Sequence, residues 1–139
     1  MPLFIRSPNF LFDCLNGVHD FARHEFKICL TNQAPSLATT GKQQVAEVPS
    51  TTSYPAGGMA CRLSVQRAGN GGAKIAGSNV VFSGSQPPVG PFQFGVLYNA
   101  SSPNGAVLGW WQYDEMLTLN ETDDFLNDPD PEHGIYFFE

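Results

Sequence analysis

The chain is poor in charge, in cysteine and in long apolar runs. Only 14% of its 139 residues are Asp, Glu, Lys or Arg, and the basic residues number seven. That scarcity argues against a nucleic-acid partner, whose phosphates call for a concentrated basic surface. Three cysteines, Cys14, Cys29 and Cys61, form no CxxC pair, so neither a disulfide framework nor a zinc knuckle is expected. No apolar run approaches the length of a membrane span, so no membrane partner is expected. The opening MPLFIRSPNFLFDCLNGVHDF lacks the charged start, apolar stretch and small-residue cleavage site of a signal peptide, and export by that route is not expected. Gly69, Gly71 and Gly72 precede Lys74 without the spacing of a phosphate-binding loop, and no cofactor is called for.

What is abundant points to strands. Apolar residues make up 42% of the chain, and 14 glycines with 11 prolines punctuate them. That mixture suits many short strands joined by tight turns, and the length suits one domain over residues 1–139. The expected fold is all-β, a β-sandwich or jelly-roll with one short N-terminal helix.

The helix is expected over about 9–21, where Leu11, Cys14 or Leu15, Val18 and Phe21 fall at helical spacing after Pro8 and Asn9. Period-two alternation follows in Phe26, Ile28 and Leu30. Residues 36–58 form a long polar excursion with Val45, Ala46 and Val48 as its hint of order. A strand through Met59, Cys61, Leu63 and Val65, a hairpin turn at Gly69 to Gly72, and a strand from Lys74 to Ser83 come next.

Val89 to Asn120 is the most structured stretch and reads as three strands. Phe92, Phe94, Val96 and Tyr98 share one face of the first, and Asn104-Gly105 supplies a tight turn. Glu121 to Gly134 is an acidic loop, and Ile135 to Phe138 a terminal strand.

Candidate chemistry is thin. Asp123, Asp124, Asp128, Asp130 and Glu132 offer hard oxygens, but their order does not match an EF-hand and Pro129 and Pro131 stiffen the segment, so no metal site is expected. Nothing fixes a pair of carboxylates at the separation that glycoside cleavage needs. Cys14 and His19 stand i,i+5, point apart and have no third orienting group, while His24 flanks the helix end and His133 sits in the acidic loop, so the histidines are read as structural and the chain as not an enzyme. Asn99-Ala100-Ser101 and Asn120-Glu121-Thr122 fit glycosylation acceptors but read as turns.

The candidate interaction residues are Trp110, Trp111, Tyr113, Tyr54 and Phe138. Alternation sends Trp110 and Trp111 to opposite faces of one strand. If both faces are apolar, the strand is covered twice: by its partner sheet, and by the helix, the long excursion or another subunit. Charge is also polarised. The first 74 residues carry a net +3 and the remainder −9, which permits self-association between surfaces of opposite sign.

Several phrases resemble a family of small tailed-bacteriophage virion proteins that carry no assigned activity. They are Leu15-Asn16-Gly17-Val18-His19-Asp20-Phe21, Phe26-Lys27-Ile28-Cys29-Leu30-Thr31-Asn32, Tyr54-Pro55-Ala56-Gly57-Gly58, and Gly90-Pro91-Phe92 on through Gly109-Trp110-Trp111-Gln112-Tyr113 to Leu117-Thr118-Leu119-Asn120. The resemblance implies a virion component made in the host cytoplasm. Its partners would be other copies of itself and other virion proteins, the major capsid protein first. Capsid decoration, as a cement protein, is the preferred role. A tail-associated or receptor- and carbohydrate-binding adhesin module is the alternative.

Overall fold

The computed structural model describes residues 4–129 and 136–138, with Asn70 and residues 136–138 placed by their backbone alone. In chain order the elements are β1 (Phe4–Arg6), α1 (Phe10–Leu15), β2 (Phe26–Thr31), β3 (Met59–Ala60), β4 (Leu63–Arg67), β5 (Ala73–Gly77), β6 (Val80–Ser83), β7 (Val89–Asn99), β8 (Val107–Leu119), β9 (Asp124–Asn127) and β10 (Tyr136–Phe138). Single 3-10 turns lie at Lys42–Gln44 and Gly69–Gly71. Strand far outweighs helix among the described residues: the fold is all-β and sandwich-like, with one short helix.

One layer is the antiparallel sheet β1-β8-β7-β2-β3, and the strands outside it form a three-stranded sheet β10-β5-β4 and the pair β6-β9. The main core lies between. Phe26, Ile28 and Leu30 from β2, Leu97 from β7 and Trp111 from β8 meet Leu63, Ile75, Val80 and Phe82 from the short strands. The opposite face of the five-stranded sheet carries a second cluster of Cys29, Phe94, Val96, Tyr98, Val107 and Trp110, and Val45 of the excursion packs on it. This separation of Trp110 from Trp111 is the one that strand alternation predicts.

Residues 36–58 stay on the sheet through polar contacts. Bridges join Thr31 to Glu47 and Gly41 to Ala106. The Glu47 carboxylate accepts from the Lys42 ammonium at 2.9 Å, the Tyr54 hydroxyl at 2.6 Å and the Gly57 N–H at 2.8 Å. Tyr98 donates its hydroxyl proton to the Gly57 carbonyl at 2.6 Å. The second apolar face is therefore covered by this chain's own excursion, and it needs no other subunit to bury it.

Several expectations are corrected. The helix is six residues long and ends in a Schellman motif: Val18 N–H bonds the Asp13 carbonyl and Gly17 N–H the Cys14 carbonyl, with Gly17 at φ 73°. Gly17 is thus the stop, with residues 18–21 beyond it. So short a helix has one inward row, and Phe10 takes it with Cys14 beside it, which turns Leu11 and Leu15 outward.

The strand expected through Met59 to Val65 divides at Cys61 and Arg62 between two sheets, and the one from Lys74 to Ser83 divides after Gly77. A break in the strand at those points lets each half join a different partner. The expected three strands of Val89 to Asn120 are two, because β8 runs on through a bulge. The acidic loop contains β9, paired with β6, while Asp130, Glu132, His133 and Ile135 lie outside the described residues. The hairpin turn at Gly69 to Gly72 joins β4 and β5 as expected, and β10 pairs with β5.

Candidate functional site

The bulge in β8 builds the best-defined concavity. Between the pairs Phe92↔Leu117 and Phe94↔Gln112, the single residue Gln93 of β7 faces the four residues from Tyr113 to Met116 on β8. Gln93 Nε2 donates to the Tyr113 carbonyl at 3.1 Å, replacing a ladder bond that the bulge breaks. The surplus residues Asp114, Glu115 and Met116 swing outward. On the inner side the Tyr113 ring meets Phe125 edge-on at 4.6 Å, and its hydroxyl donates to Asn127 Oδ1 at 2.8 Å. Gly95 makes room for that hydroxyl, since a Cβ there would collide with it.

The result is a pocket of about 380 Å³ between β8 and β9. Trp111, Tyr113, Phe125 and Leu117 give it apolar walls, and Asp114, Glu115 and Asp128 line it with carboxylates. Asn127 also lines it and is only 3% exposed, yet its Nδ2 has no partner among the described residues. Asp128 Oδ1 is buried and unpartnered in the same way.

A second, wider groove of about 840 Å³ runs between residues 21–26 and β4, with Phe21, Phe26 and Leu63 against Arg23, His24 and Arg62. Beside it Asn99 binds two histidines. Its Oδ1 accepts the Ser101 N–H at 2.9 Å, so its Nδ2, at 3.0 Å from His19 Nδ1 and 2.9 Å from His24 Nδ1, donates. Both rings then carry their proton on Nε2. Burial, and then His24 nearby, lower the His19 pKa to about 4. The His19 ring also packs beside those of Phe10, Phe21 and Phe26, and His24 Nδ1 accepts the Asp20 N–H at 3.1 Å, while His133 lies outside the described residues.

All three cysteines are free. Burial raises Cys29 to about 12 and Cys61 and Cys14 to about 11, the last with help from Asp13, so each is held as the weakly nucleophilic thiol. Among the described residues no group of three or more His, Cys, Asp or Glu is placed to hold a metal ion. No helix of the described residues is long and apolar enough to cross a membrane.

The aromatic residues singled out from sequence do not make one surface patch. Trp110 is 7% exposed and belongs to the second cluster under the excursion. Tyr54 is wholly buried, its hydroxyl bound to Glu47 and to the Leu30 N–H. Trp111 and Tyr113 are core residues that also wall the pocket. Phe138 lies opposite Ala73 at the end of β10, far in register from the other four. Four of these five candidate interaction residues are buried in the chain's own interior. The residues missed are Phe125 and Asn127, which the acidic composition of their segment disguised as loop, while Asp128 was weighed only among the loop carboxylates. Phe125 was the only apolar signal of an inward-facing strand position there.

Comparison with protein-family models, with curated proteins and with solved structures finds no match to this chain.

Proposed function

We propose that the chain is a non-enzymatic virion structural protein, acting as a capsid-decoration protein that attaches to a lattice of the major capsid protein and to copies of itself. The resemblance in wording supplies the virion setting. The observation that carries attachment is the outward row of α1: Phe12 is 66% and Leu15 80% exposed, with Leu11 beside them. Ile5, on the edge strand β1 that leads into the helix, is also exposed. Large apolar side chains left together at the surface favour burial against a partner. The polarity of charge along the chain supports contacts between copies.

Burial of both Trp faces within the chain removes the surplus of sheet surface as an argument for assembly, so the reading now rests on the helix. Its test is incorporation into particles of wild type and of a Phe12→Ser, Leu15→Ser double variant. The expected result is wild type in many copies on the head, and a variant lost from particles with unchanged thermal unfolding. Equal incorporation of the variant, or wild type confined to the tail, overturns it.

A further inference from the structure

The pocket between β8 and β9 carries a polarity that the assembly reading does not use. Asn127 lines it almost fully buried and is fixed at one end by Tyr113, and the other end of its amide is buried without a partner. The Tyr113 hydroxyl donates to Oδ1, so the end left without a bond is the Nδ2 donor. A buried amide group without a bond is costly, and a native fold that tolerates it beside a concavity has a place for a polar ligand atom. Asp128 Oδ1, an acceptor, is unpartnered at the same pocket. The site therefore offers a donor and an acceptor beside walls made by Trp111, Tyr113 and Phe125.

We infer that this pocket binds a neutral hydroxylated ring, one monosaccharide unit of a glycan. Neighbouring hydroxyls on a sugar each donate and accept, which matches the Asn127 amide and the Asp128 carboxylate together. The C–H face of the ring suits aromatic walls, and about 380 Å³ lies within the usual range for small-ligand sites. A metal ion fits worse, because the Asn127 donor would point at it. An organic cation would use the carboxylates and rings but leave the same donor unsatisfied. The inference stands independently of lattice attachment, since α1 contributes nothing to this pocket.

The test is NMR titration of the full chain with glucose, galactose, mannose and N-acetylglucosamine, each separately, with tetramethylammonium chloride as the cationic counter-probe. The expected result is saturable shifts of the Trp111 indole and the Asn127 side-chain amide with at least one sugar. Asn127→Asp keeps the acceptor for Tyr113 and removes the donor, and Asp128→Ala removes the acceptor. Each should weaken that binding by about tenfold, the loss of one hydrogen bond to a buried or charged group. Absence of saturable shifts at Trp111 and Asn127 with every sugar overturns the inference. So does a response there to tetramethylammonium alone, or sugar-induced shifts confined to the groove beside Arg23 and Arg62.

Discussion

The carboxylate of Glu47 accepts the hydroxyl proton of Tyr54 at 2.6 Å, inside a contact that the sheet also shares: the Leu30 N–H donates to the same phenol oxygen at 2.9 Å. Burial, together with the Glu47 bond, pushes the Tyr54 hydroxyl far above its ordinary range, so it remains a donor at every physiological pH. Through this pair a polar segment of the chain is held against β2, and its carboxylate also gathers Lys42 and the Gly57 N–H.

Glu47→Ala is expected to destabilise the fold by about 2–4 kcal/mol, because it strands a buried hydroxyl and a backbone N–H at once. Chemical denaturation measures it. A loss below about 0.5 kcal/mol, the level of an ordinary surface substitution, would show that the excursion holds itself in place without this hub.

Trp110→Ala should cost about 3–5 kcal/mol of folding stability, since the ring is buried in the second apolar cluster. Its first symptom is a lowered melting temperature. Retained stability with a selective loss of partner binding would mean that the ring faces outward instead.

Gly95 and Tyr113 are coupled by a close approach. Gly95→Ala places a methyl against the phenol oxygen and should cost about 1–3 kcal/mol, the usual range for overpacking. In a Tyr113→Phe background, where that oxygen is gone, the same substitution should cost clearly less. A double-mutant cycle with additive losses would contradict the packing described.

The His19 pKa, lowered to about 4 from 6.5, makes stability depend on pH. Below 6.5 the unfolded chain takes up a proton that the folded ring refuses, so stability falls as pH drops from 6.5 toward 4 and then levels. The total loss from this ring, which is 7% exposed, is about 3 kcal/mol. Urea midpoints across that window should slope for wild type and flatten for His19→Gln, which can still accept from Asn99 but does not titrate. Equal slopes would assign the acid sensitivity to another group.

Much of the local architecture is written in short-range pattern. Phe26, Ile28 and Leu30 alternate and form one face of β2; Gly105 takes the positive φ of the turn before β8; Trp110 and Trp111 divide between two cores. Each follows from the two-residue period of a strand or from a glycine's freedom, and a local property can be read locally. The candidate site was legible only in part. Trp111 and Tyr113 stood out as aromatic, but Asn127 and Asp128 looked like solvated loop because nothing near them in sequence tells of β6.

The sequence by itself determined that this chain forms many short strands with one brief helix; the single face expected of Phe92, Phe94, Val96 and Tyr98 breaks at the bulge, which puts Phe92 in the main core and leaves the other three in the second cluster. Tertiary structure alone decided that Met59 to Val65 and Lys74 to Ser83 each serve two sheets, that four residues of β8 face one of β7, and that residues 36–58 cover the second apolar face. The physical reason is that periodicity records which way a side chain points but not which strand lies beside it. Neighbours are chosen by long-range hydrogen bonding and burial, and those energies depend on residues far apart in the chain.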